Sequence, residues 1–351
     1  MTKKKNEIWS AIALALAALS IWVVASHLKD YSLKDFKNYF RDANPFWIVM
    51  AVVCMISYIL FEGFAILTVL KAFGYKRAIH KGVVYSAADI YFSAITPSAT
   101  GGQPACAFFM MSDGVPAAVS AVALLLNLVM YNASIMTIGL IALVLRPGIF
   151  MNFVMPSKAL IIIGYVILTT LVVFTILLIK REDWVHSIGS FIIRLSGKIK
   201  LIRNTGRLEK KLDRITKEYS DCANMIDGHR GMLIKCFIYN LVQRCLQICV
   251  SVMIFLAGRG KGSMALDIWA THAFSVIGSN CVPIPGAIGV IDALLLDGMK
   301  DLMSEQDATS LELASRGVSF YICVLTCVLI VGIGYFSLNR RIKIFGNEDN
   351  D

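Results

Sequence analysis

The chain reads as an all-α polytopic membrane protein, with about six spanning helices and two Pro/Gly-broken re-entrant hairpins set in inverted-topology repeats. Three observations lead there. Hydrophobic residues fill 57% of the 351 positions and mean hydropathy is +0.68, well above a soluble domain. Several apolar runs reach the roughly 20 residues that a helix needs to cross a bilayer. Two Pro/Gly knots interrupt such runs: Thr96-Pro97-Ser98-Ala99-Thr100-Gly101-Gly102-Gln103-Pro104 and Pro283-Ile284-Pro285-Gly286-Ala287-Ile288-Gly289. Proline removes a backbone donor and stops a helix, while glycine permits a sharp reversal. In hydrocarbon the freed backbone groups need protein or water as partners, so a knot at membrane depth lines a cavity or lies inside a bundle.

Each element has its own justification. Ile8 to Leu28 follows Lys3-Lys4-Lys5 and reads as a retained first span, because it is long and lacks a small-residue cleavage site before His27 and Lys29. The second span starts at Pro45, a favoured first-turn residue, and ends near Leu70 with Glu62 inside. A basic loop from Lys71 to Lys81 leads into residues 82–113, which carry the first knot. The piece after that knot, Gln103 to Met111, is too short to cross, so this segment is expected to return to its own side. Spans three and four lie within Val115–Leu145 and Ala159–Ile179. Span five, Cys236 to Ala257, contains Arg244 flanked by Gln243 and Gln247. Residues 266–300 hold the second knot. Asp301 to Glu312 reads as a polar connection, and span six as Gly317 to Leu338.

Residues 180–235 form the one long polar insert. Val185, Ile188, Ile192, Leu195, Ile199 and Ile202 recur at helical spacing among Arg194, Lys198, Lys200 and Arg203. A basic amphipathic helix of this kind fits a membrane surface, and it equally fits a cytosolic hairpin packed on the bundle.

The order span, span, hairpin, span occurs twice, over 1–158 and 159–351. Three crossings per half invert the second copy, so the two hairpins enter from opposite sides and their knots approach near midplane. With the N-terminus inside, inner segments carry 23 Lys/Arg and outer segments 10. The positive-inside rule therefore puts both termini in the cytoplasm, although the insert supplies the whole excess. The net charge of +10 lies mainly in loops beside spans, which points to an anionic membrane face rather than nucleic acid. The nine cysteines show no CxxC or Cys/His spacing and read as small buried residues.

Charges inside spans are costly and normally face a wet cavity or a partner. Five stand out: Glu62, Asp89, Arg244, Asp292 and Arg316. Arg244 is the deepest cation, and a guanidinium holds a phosphate in bidentate fashion. Asp292 sits three residues after Gly289, on the first turn of a returning arm, where a carboxylate suits a helix N-terminus. One reading is a headgroup site, with Arg244 on a lipid phosphate, carboxylates on a cationic or hydroxylated headgroup and knot amides as donors. The other is an Arg244–carboxylate pair that fixes helix register. His272 reads as a bonded core histidine, and Asn127 and Asn132 as interhelical hydrogen bonds. No HExxH, GxSxG, Walker A or Rossmann fingerprint occurs, so no cofactor and no ATP-driven pumping are expected of this chain alone.

The two knots and their charged companions resemble the lysylphosphatidylglycerol synthase transmembrane region, the flippase part of the bacterial multiple peptide resistance factor. Thr96, Pro97, Gly101, Gly102 and Pro104 match its first motif. Pro283, Pro285, Gly286, Gly289 and Asp292 match its second, with Ala287 replacing a Gly and Asp292 replacing a Glu; Arg316 falls where the family tends to open its last span with Arg. The resemblance implies a bacterial inner-membrane lipid translocase for an aminoacylated phosphatidylglycerol or another polar lipid. The substrate-binding set is then Arg244, Asp292, Glu62, Asp89, Arg316, Thr96, Gly101, Gly102, Gln103, Pro283, Pro285, Gly286 and Gly289. The family's full-length enzymes add a soluble acyltransferase domain, which this chain, ending at Asp351, is expected to lack. Membrane phospholipids are the expected partners, and a homo-oligomer or a separate synthase stays open. The alternatives are a phosphatidylglycerol lysyltransferase acting at the hairpin cavity and a regulatory subunit that binds anionic lipids through Arg194 to Arg214.

Overall fold

The computed structural model describes residues 41, 43–96, 99–181, 184, 187, 190, 213, 216–224, 226–280, 282 and 289–348, and holds no strand among them. The expected first span, most of the basic insert, Pro97, Pro283, Pro285 and Gly286 lie outside the described residues. The protein is an all-α, multi-pass membrane protein.

Helix α1 (Pro45–Ala72) begins where Asn44 Oδ1 accepts the Phe46 amide at 3.0 Å, with proline in its first turn. It is followed by α2 (Ile79–Ile95) and α3 (Gly102–Ser112), the arms on either side of the first knot. Helix α4 (Ala117–Leu145) ends at Arg146, and Pro147 starts the short α5 (Pro147–Asn152). Helix α6 (Met155–Lys180) precedes the insert, and α7 (Arg230–Ala257) follows it. The second knot separates α8 (Ala265–Ser279) from α9 (Val290–Met299). Last come α10 (Glu305–Arg316), a π-helical turn (Gly317–Ile322) and α11 (Cys323–Glu348). Helices α1, α4, α6, α7 and the run Glu305–Leu338 are long and apolar enough to cross a membrane. By contrast α3 is 11 residues long and α9 is 10, roughly 15 Å each at the α-helical rise.

One boundary differs from expectation. Residues 301–312 were expected as a polar connection, yet helix starts at Glu305 and runs on without a gap. Ser304 caps it, its Oγ accepting the Asp307 amide at 3.2 Å, and Glu305 and Asp307 favour the first turn electrostatically. The polar letters hide a buried face: Ala308, Leu311 and Ala314 pack in the core, and Glu312 and Arg316 are buried beside them. A window average reads such a segment as a loop because its charges find partners that are distant in sequence.

Helices α1 and α7 pack antiparallel. The Asn44 amide donates to the Ala257 carbonyl at 2.8 Å, and Gln243 Nε2 donates to Glu62 Oε2 at 2.9 Å. Asn240 Nδ2 donates to Asn127 Oδ1 at 3.0 Å, tying α7 to α4 as a polar interhelical link. Small residues set the closest crossings. A Cβ on Gly63 of α1 would lie 2.8 Å from the Gly82 carbonyl of α2, an approach open only to glycine. Large apolar residues such as Val144, Ile162, Ile333 and Phe336 face outward, as lipid-facing surface does.

A charged clasp closes the first broken pair. Asp113, just past α3, accepts Lys81 Nζ at 2.6 Å and the Tyr85 hydroxyl at 2.8 Å, both from α2. Arg77 Nη2 donates to its carbonyl at 2.8 Å. Tyr85 is fully buried, so losing the carboxylate strands a buried hydroxyl and an ammonium. Asp113→Ala is expected to cost about 2 kcal/mol, read as a lower unfolding temperature in detergent, whereas Asp113→Asn should recover part of it.

Candidate functional site

Two buried polar clusters lie along α7. The first surrounds Arg244, near the middle of that helix and 5% exposed. Its guanidinium carbon lies 3.8 Å above the Tyr131 ring of α4 and 5.7 Å from the Tyr58 ring of α1. One terminal nitrogen donates to Gln247 Oε1. Its Nε is buried and unpartnered, as is Gln243 Oε1. Among the described residues no carboxylate lies within ion-pair distance of Arg244. Ring faces and an amide make the direct contacts to this side chain, and Glu62 and Asp89 stand beyond ion-pair distance but near enough to act on its charge.

Glu62 and Asp89 face each other beside it, with their side chains in hydrogen-bond reach. Both are buried, Glu62 at 5% and Asp89 at 8% exposure. Gln243 holds Glu62, and Ser93 Oγ donates to Asp89 Oδ1 at 3.3 Å.

The first knot brings α3 onto this pair. Thr96 Oγ1 donates to the Phe92 carbonyl at 2.6 Å and accepts the Gly101 amide at 2.9 Å, which turns the chain after α2. Gly102 then seats the start of α3 against α2. A Cβ there would collide with Asp89 Oδ1 and Ser93 Oγ and would lie 2.6 Å from the Asp89 carbonyl. The glycine is what lets a helix N-terminus, favourable to negative charge, sit beside a buried carboxyl. Gly102→Ala is expected to cost about 2 kcal/mol by overpacking and to move Asp89; unfolding temperature would report the first and the activity assay below the second. Gln103 is half-buried on the same first turn.

The second cluster joins α9 and α10. Asp292 Oδ2 accepts the Gly289 amide at 2.8 Å, where Gly289 adopts φ +83°, a left-handed cap that suits glycine. Its other oxygen accepts Nε of Arg316, and a terminal nitrogen of the same guanidinium lies in ion-pair contact with it. Arg316 Nε also donates to Glu312 Oε1 at 3.1 Å. All three residues are buried. On the adjacent helices, Ser251 Oγ and His272 Nδ1 lie 2.6 Å apart, so His272 is a bonded core histidine. Ser251 is seven residues beyond Arg244 on α7, roughly 10 Å along the axis.

The structure thus distributes the sequence-predicted charges over two places. Glu62, Asp89 and Arg244 come together. Asp292 and Arg316 pair with one another at the second knot, and Arg316 sits inside a continuous helix just before the π-helical turn rather than at the opening of a span. Thr96, Gly101 and Gly102 frame the first cluster. Glu312, Tyr58 and Tyr131 were missed. Glu312 stood in a segment read as a connection, although its i, i+4 spacing to Arg316 was available as a signal. The two tyrosines carried none, since only the packing puts their rings on Arg244. Among the described residues, no group of three His, Cys, Asp or Glu side chains is placed to hold a metal.

Two broken helical pairs thus surround buried charges in a bundle of apolar helices. The model of the lysylphosphatidylglycerol synthase TM region matches residues 10–327 of the chain. The chain belongs to that family. Membership links this lysylphosphatidylglycerol synthase TM region protein to lipid modification or translocation. The match covers both clusters, so Glu62, Asp89, Arg244, Asp292 and Arg316 all fall within the family region. No curated protein matches the chain.

Proposed function

We propose that the protein is a lipid translocase that moves a phosphate-bearing polar lipid, such as an aminoacylated phosphatidylglycerol, between the leaflets of a bacterial inner membrane. The observation that carries this reading is Arg244: a buried cation near the middle of a span, stacked on Tyr131, with an unpartnered Nε and, among the described residues, no carboxylate within ion-pair distance. Such a charge costs stability in hydrocarbon unless a partner arrives. A lipid phosphate supplies that partner. The Glu62–Asp89 pair beside it suits the amine of an aminoacyl group; of the first-knot residues, Gly102 and Gln103 on the first turn of α3 offer donors, while Thr96 and Gly101 bond to one another and hold the turn that presents them. Pro283, Pro285, Gly286 and Gly289 are assigned the mirrored role in the second hairpin, with Asp292 and Arg316 holding that hairpin's register.

Several features support inverted repeats with re-entrant hairpins. Helices α1 and α7 are each 28 residues long and antiparallel. A glycine of α4, Gly139, meets Ile277 of α8, and a glycine of α11, Gly334, meets Val84 of α2. In this reading the last span of each half packs on the other half's hairpin, as a two-fold relation requires. Both termini then face the cytoplasm.

The test is a leaflet assay in proteoliposomes with fluorescent phosphatidylglycerol and its lysyl ester, against protein-free vesicles. Faster leaflet equilibration with protein is expected for at least one of the two lipids. Equilibration at the protein-free rate for both would count against a translocase. Labelled lysine reaching lipid from charged tRNA with this protein alone would favour a lysyltransferase instead.

A further inference from the structure

Away from the buried clusters, α1 ends in a basic cleft. Phe64, Leu67, Lys71, Lys76, Arg77 and Tyr239 enclose about 330 Å³ between the end of α1, the loop after it and the facing turn of α7, a size at the lower end for small-ligand pockets. Three cations line it and no acid does. Lys71 and Lys76 are exposed, and among the described residues neither has an ion-pair partner. Arg77 is held differently. Its two terminal nitrogens donate to the carbonyls of Lys76 at 3.1 Å and Asp113 at 2.8 Å, which fixes the guanidinium plane, while its buried Nε has no partner. A guanidinium fixed from behind, with two exposed ammonium groups beside it, matches a phosphate.

The other wall of the cleft is apolar. The Phe64 and Tyr239 rings lie 6.0 Å apart, with Leu67 beside them. On α7, Ile234 and Ile238 next to Tyr239 are exposed at one-turn spacing, so the apolar wall continues onto the outer surface of the bundle. Free phosphate would use only the cationic side. A phosphate joined to an acylglycerol would use both.

We propose that this cleft docks the headgroup of an anionic phospholipid, with the phosphate among Lys71, Lys76 and Arg77 and the apolar body over Phe64, Leu67 and Tyr239. The site stands apart from the buried cluster: Lys71 lies nine residues past Glu62, roughly 14 Å along α1. It does not depend on the translocase reading.

The full-length protein in neutral detergent, carrying Arg244→Met to silence the buried cluster, is examined by native mass spectrometry. Phosphatidylglycerol, phosphatidylcholine and inorganic phosphate are the probes. Phosphatidylglycerol is expected to be retained about tenfold more strongly than phosphatidylcholine. Adding Lys71→Gln with Lys76→Gln should remove that preference, whereas Lys71→Arg with Lys76→Arg and the distant Lys261→Gln should keep it. Arg77 is left intact because its carbonyl bonds hold the loop. Equal retention of the two lipids, or an unchanged preference in the glutamine variant, would overturn the proposal. Displacement of phosphatidylglycerol by an equal concentration of inorganic phosphate would assign the cleft to soluble phosphate and overturn it too. The Arg244→Met background separates this outcome from failure of the translocase reading, which is judged by leaflet exchange with Arg244 in place.

Discussion

Arg244→Met is expected to slow protein-dependent lipid exchange by about 10- to 100-fold, the range set by losing one charge-assisted contact to phosphate, while leaving unfolding temperature unchanged or raised. Methionine keeps an apolar chain of similar length, so the change removes charge without opening a large cavity. The two effects diverge because Arg244 is not paired: its Nε has no partner and no carboxylate lies in ion-pair reach among the described residues. A charge kept in that state costs stability. Its ring contacts with Tyr131 offset part of that cost, roughly 2 kcal/mol when desolvated. Tyr131→Phe should therefore retain activity and Tyr131→Ala should lose much of it. Leaflet exchange and thermal unfolding, measured on the same preparations, decide the matter. A fall in stability with exchange intact would make Arg244 a structural residue and remove the support it lends to a phosphate site.

Arg316→Met is expected to do the reverse and destabilise the fold by about 3–5 kcal/mol, the cost of breaking one side of a buried ion pair. Arg316 satisfies Asp292 and Glu312 together, and both carboxylates are buried. Without the guanidinium, two adjacent acids remain in apolar surroundings. Asp292→Asn should cost less, because Glu312 stays with Arg316 and an asparagine oxygen can still accept the Gly289 amide that caps α9. Combining Arg316→Met with Glu312→Gln should recover part of the loss, since residues sharing a network are not additive. Denaturant or thermal unfolding in detergent would measure all three. Additive losses would mean that the groups act independently. Since Asp292 and Arg316 already satisfy one another, their variants should impair lipid exchange mainly in proportion to the stability they lose.

Apolar run length, proline position and the two knots were enough to place α1, α4, α6 and α7 and to break two further segments into helical pairs, because crossing hydrocarbon demands long apolar helices and forbids unsatisfied backbone. The same local rules identified Glu62, Asp89, Arg244, Asp292 and Arg316 as out of place. What local rules do not carry is which charge meets which. Arg244 precedes Asp292 by 48 residues and Arg316 follows it by 24, and only the packing of α9 on α10 gives Asp292 to Arg316. Arg244 is left to the rings of Tyr58 and Tyr131, apolar letters in any window average. The helix at Glu305 was hidden for the same reason: its charges look solvated until Glu312 and Arg316 are seen turned toward Asp292. A polar residue in a membrane chain announces itself by its cost in lipid, whereas its role depends on a partner that the tertiary structure brings from elsewhere in the chain.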